Sequence, residues 1–174
     1  MICHSLLGGS LLVALLSGAQ PGDAPLVARD RVQLRYAGAE TILAAARAKA
    51  VEMKLAVNIA VVDDGGHLLA FARMDEARPA SGYTALTKAV TAATFREATG
   101  PRPAKGEPDV LLNLSLQAAA AAGGGKLTTL KGGVPVVING QVVGAVGVGG
   151  ATGEQDAEIA KAGIQALMEA LGKK

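Results

Sequence analysis

A chain of 174 residues, half of them hydrophobic, is long enough for one compact domain with a real core. Its formal net charge is only +2, Trp is absent, and Phe and Tyr number two each. A nucleic-acid partner, which leaves a basic stripe and stacking aromatics, is therefore not expected, and the core must be built from Val, Leu, Ile and Ala.

The N-terminus differs from the rest. Leu6–Ala19 is an apolar run of signal-peptide length, too short for a comfortable membrane span. Ser17-Gly18-Ala19 offers the small residues that a signal peptidase accepts, with Gly22-Asp23-Ala24 as a second option, although Met1–Ser5 lack the usual Lys or Arg. Residues 1–19 are expected to be a leader, 20–36 an arm and 37–174 the domain. The mature protein is then periplasmic or secreted, with no stable membrane span. Cys3 lies ahead of the cut, so the mature chain would have no thiol, disulfide or Cys metal ligand.

In the domain, Ile42, Leu43, Ala46, Ala50 and Met53 recur at helical spacing over 38–53. Leu55–Asp75 reads as a hairpin: two apolar runs flank Asp63-Asp64-Gly65-Gly66, and both are apolar enough for a largely buried sheet. A second helix enters at Pro79 and Ser81 and is expected to end at Gly100-Pro101. One of its faces carries Leu86, Ala89, Val90 and Ala93. Another carries Thr84, Lys88, Thr91 and Phe95, an unusual set for a solvent face.

Residues 100–108, with three prolines and two glycines, form a loop. Asp109 can cap a short helix through Leu111, Leu114 and Ala118, which Gly123-Gly124-Gly125 ends; the glycosylation sequon Asn113-Leu114-Ser115 falls inside it by chance. Asn139-Gly140 between two β-rich runs signals a second hairpin. Thr152 and Gln155 have capping-box spacing ahead of a last helix whose stripe is Ala160, Ile164, Leu167, Met168 and Leu171. Hairpins imply antiparallel pairing, so the order helix, hairpin, helix, helix, hairpin, helix predicts an α+β two-layer domain rather than a doubly wound nucleotide fold.

Nucleotide motifs fail: Leu127 follows Gly123-Gly124-Gly125-Lys126 where a phosphate loop needs Ser or Thr, and Gly147–Gly153 misses the dinucleotide spacing. His67, the one histidine of the expected mature chain, has three readings: a structural turn residue, an axial haem ligand, or a general base partnered by Asp63 or Asp64. A zinc site on those three residues is a poor fit because turn side chains diverge. Arg73 could clamp a carboxylate, and Tyr83 is the phenol near this cluster.

The segments IAVVDDGGHLLAFARMD, TKAVTAATF and GGVPVVINGQVVGAVGVGG resemble the GlcG/HbpS family of haem-binding-like proteins, related to the PduO C-terminal domain. Asp63, Gly66, Arg73, Met74, Asp75, Lys88, Thr91, Gly133, Pro135 and Gly147 fit its motifs, whereas Gly149 stands where Ser is usual and removes a hydroxyl. The resemblance, over residues 37–171, implies a profilin-like α/β sandwich assembled as a homo-oligomer, often an octamer, with haem bound in some members. The expectation is an exported haem-binding protein. His67, or a residue on the Lys88–Thr91–Phe95 face, would approach iron, and Arg73 or Lys88 would pair with propionates. The alternative is an enzyme or binding protein for a carboxylate-bearing metabolite, with Lys88 or His67 as base and Arg73 as clamp.

Overall fold

A computed structural model of the chain describes Val27, residues 30–103 and residues 105–172; the expected leader and much of the arm lie outside them. The domain contains helices α1 (Tyr36–Glu52), α2 (Ser81–Phe95), α3 (Val110–Ala122) and α4 (Gly153–Gly172). Its strands are β1 (Asn58–Asp63), β2 (Leu68–Arg73), β3 (Gly133–Ile138) and β4 (Gln141–Gly149). This is the expected α+β, profilin-like architecture with one antiparallel sheet. Strand order is β2-β1-β4-β3, so each hairpin supplies one inner and one edge strand. The seam is the β1–β4 pairing, from Asn58 opposite Gly149 to Asp63 opposite Gly144.

Alternation along the inner strands sends side chains to two cores. Ile59, Val61, Val146 and Val148 meet Ile42 of α1 and Ile159 of α4 on one face. Ala60, Val62 and Ala145 meet Ala85 and Ala89 of α2 on the other. The first core is filled by branched side chains and the second by small ones. That difference sets the distance at which α2 packs: a Cβ at Gly147 would sit 2.1 Å from the Ala85 carbonyl oxygen, so helix backbone rests almost directly on the strand.

Three expectations need correction. β2 is not largely buried: it is an edge strand, with Leu68 and Phe71 both exposed. α2 stops at Phe95, short of Gly100, because Arg96 turns into the left-handed region at φ 59°. Met168 and Leu171 of the proposed α4 stripe are exposed, and only Leu167 of that turn is buried. The caps hold as read. Asp109 Oδ1 accepts from Leu112 N at 2.9 Å, and Thr152 and Gln155 exchange reciprocal bonds of 3.2 and 3.3 Å. Asn113, the sequon residue, is engaged in the fold: its amide donates to the carbonyls of Arg102 and Asp109 and accepts from Arg102 N, tying the proline-rich loop to α3.

Candidate functional site

The residues singled out by sequence fall into separate places. His67 sits at the end of the first hairpin turn, its side chain 83% exposed. Asp63 organises that turn: its Oδ1 accepts from Gly65 N at 2.9 Å and from His67 N at 2.8 Å, and its carboxylate also meets His67 Nδ1 at 3.2 Å. Partial burial works to raise the Asp63 pKa, but the backbone and imidazole hydrogen bonds from His67 and the Gly65 amide outweigh it and hold the carboxyl below its ordinary value. With Nδ1 engaged by a carboxylate, Nε2 makes no hydrogen bond among the described residues, the arrangement that leaves the other ring nitrogen for a metal. Among the described residues no three His, Cys, Asp or Glu side chains converge as a metal group, so Asp63, Asp64 and His67 do not form a zinc site.

Lys88 lies elsewhere. The residue is 4% exposed, and its ammonium donates to Val148 O at 2.8 Å and pairs with Asp156 Oδ2 at 2.7 Å. Asp156, 1% exposed, also accepts from Ala151 N at 3.2 Å. The pair ties α2 to the first turn of α4 across the end of β4. Gly132 makes room for it: φ is +119° there, and a Cβ would come within 2.6 Å of Asp156 Cβ and 2.9 Å of Lys88 Nζ. An amine held in this way is committed to its carboxylate, which suits an anchor or an electrostatic floor better than a general base.

Above the pair opens a cleft of about 580 Å³ lined by Arg78, Ser81, Thr84 and Lys131 as well as Lys88 and Asp156. His67, Arg73 and Tyr83 do not line it. A Cβ at Gly149 would fall 2.5 Å from Thr84 Oγ1 and 2.6 Å from the Ser81 carbonyl oxygen, so α2 packs too closely here for the family's usual serine.

Thr91 is buried and its hydroxyl is used twice, donating to Thr87 O at 2.7 Å and accepting from Thr128 N at 2.9 Å. Phe95 lies beneath the Arg102 guanidinium, 5.0 Å from the ring centroid, and both border a small hollow between α2 and α3. Arg73, at the far end of β2 from His67, shares a different groove with Arg47 and Asp75. Tyr83 is 79% exposed on the first turn of α2. Sequence reading missed Asp156 as the partner of Lys88, because an acid in a first helical turn is already accounted for by the helix dipole. It also missed Arg78, which lies in the entry to α2 with no motif around it.

Comparison with known proteins agrees with the fold. The family model described as "Haem degrading protein HbpS-like" matches residues 34–165. Protein GlcG of Escherichia coli K12 is 44% identical over 120 residues, covering 69% of this chain and 84% of that protein. A 15.0 kDa Citrobacter freundii protein of the dhaT-dhaS intergenic region is 36% identical over 136 residues, 78% and 93% of the two chains. Among solved structures, Klebsiella pneumoniae ORFY superposes with a TM-score of 0.68 at 32% identity, over 83% of this chain and 98% of its own. A PduOC–haem complex gives 0.64 at 27% identity, over 78% and 95%. A Streptomyces reticuli HbpS variant gives 0.65 at 31% identity, over 84% and 99%.

Proposed function

Because the chain belongs to the HbpS-like family of haem-degrading proteins, we propose that it is an exported, oligomeric haem-binding protein that scavenges or senses haem. The observation that carries the reading is the Asp63–His67 pair. It engages Nδ1 and leaves Nε2, on a side chain 83% exposed, as the donor that an axial haem ligand needs. A structural neighbour crystallised with haem supports the same ligand class. When bound, haem would supply the iron centre; this chain would supply the axial nitrogen and, beside it, the exposed Leu68 as apolar wall. Thr91 is a poorer iron ligand, since its hydroxyl hydrogen and one lone pair are already bonded inside the fold. Lys88, paired with Asp156, lines a different cleft from His67, and Arg73 lies at the far end of β2, so neither is within a single haem's reach of His67 in the same subunit.

Assembly completes the proposal. α3, VLLNLSLQAAAAA, holds no charged residue, yet Val110, Leu111, Leu112 and Leu114 are all exposed. A helix of that composition needs cover, and a second copy of this chain would provide it. A haem titration of protein recovered from outside the cytoplasm tests the whole reading. A Soret shift saturating at micromolar haem is expected, retained in Thr91→Val and lost in His67→Ala. Equal responses from wild type and His67→Ala would remove His67 from the site, no shift at all would reject haem binding, and failure to find the protein outside the cytoplasm would reject export.

A further inference from the structure

The cleft above Lys88 has a charge pattern that haem binding at His67 does not use. Lys88 is paired with Asp156, and Lys131 with Glu154 at 2.9 Å. Arg78, on the same cleft, has no carboxylate partner among the described residues; its one hydrogen bond is a long 3.5 Å contact from Nη2 to Gly150 O. An ammonium has three donors, and two of those on Lys88 end on Val148 O and Asp156 Oδ2. The third has no acceptor although the side chain is 95% buried on the cleft floor. The carbonyls that anchor the two cations belong to Val148 and Gly150, two residues apart where β4 ends. Ser81 also lines this cleft, its hydroxyl in no hydrogen bond among the described residues, and Ala80, Pro101 and Leu130 give the cleft an apolar side.

We propose that this cleft binds a short aliphatic carboxylate carrying a hydroxyl or oxo group beside the carboxyl. Its carboxylate takes the guanidinium of Arg78 and the third N–H of Lys88, the neighbouring oxygen takes the Ser81 hydroxyl, and its carbon chain lies against the apolar side. Asp156 is the counter-charge that keeps the lysine in place, and it disfavours ligands carrying a second negative charge at the floor.

Calorimetric titration of the full chain with lactate, pyruvate, neutral lactamide and inorganic phosphate tests this. Lactate or pyruvate should bind saturably with a Kd on the order of 1 mM or tighter, and lactamide should not. Arg78→Gln, an exposed substitution that leaves the core intact, should weaken the acid about tenfold or more while the haem response stays as in wild type. His67→Ala should leave acid binding unchanged, so the two sites fail separately. The proposal is overturned if neither acid saturates, if lactamide binds as well as lactate, if phosphate binds in place of the acids, or if Arg78→Gln binds as wild type does.

Discussion

α2 and α3 reverse the usual relation between polarity and burial. α2 carries a lysine and four threonines, yet Lys88, Thr91 and its alanines are sealed between the sheet and the loops. α3 carries no charge and is largely exposed, with Ala120 its one buried residue. The difference lies in what each polar group meets. The lysine has a carboxylate and a carbonyl, and the Thr84, Thr87, Thr91 and Thr94 hydroxyls each donate to a carbonyl one helical turn back. Leucines have no such internal solution, and leaving them in water is tolerable only if something else covers them.

The strongest way to break the comparison is at the ion pair. Asp156→Ala strands a buried ammonium and should cost about 3–5 kcal/mol in denaturant unfolding, whereas Lys88→Met with Asp156→Leu should recover most of that loss. A single substitution costing under about 1 kcal/mol would show that the pair is solvated and that α2 is not sealed. On α3 the expectation is opposite. Leu111→Asp with Leu114→Asp should change subunit stability by only about 0.5 kcal/mol, because the positions are exposed, while the mass by light scattering falls to that of one subunit. An unaltered assembly would place the contact elsewhere.

The smallest effect concerns the exposed rim. The hydrogen bond from Lys131 is the main cause that holds Glu154 below its ordinary carboxyl value. Since the folded-state value is depressed, the stabilisation is present above the ordinary carboxyl range and is lost as pH falls through the depressed value. Lys131→Ala should move Glu154 up towards that range in an NMR titration, the backbone hydrogen bond still holding it down in part, and flatten the acid limb slightly. No movement of Glu154 would mean that the rim pair is not formed in solution.

Much of the fold could be read from the sequence because its signals are local. Asn139-Gly140, Asp63–Gly66, Asp109 and Thr152–Gln155 each specify a turn or cap within a few residues. The exposure of β2 could not, since Leu68–Arg73 has the composition of an inner strand and only the order of strands makes it an edge. The site was legible residue by residue but not as a constellation. Lys88 stood out on its helix, but its partner lies 68 residues away, and helical spacing carries no information across that distance. The same limit separated His67 from Lys88: they stand 21 positions apart in the chain, and no local pattern says that they occupy different places.

The seam of the sheet has one further consequence. β1 is made early, but one of its two hydrogen-bonding edges stays unpaired until residues 144–149 arrive, and the ion pair cannot close before Asp156. A ribosome must therefore deliver nearly the whole polypeptide before any stable domain exists. That delay would keep a newly made chain loose enough to be threaded through a translocation pore, and it leaves truncated products as substrates for proteolysis.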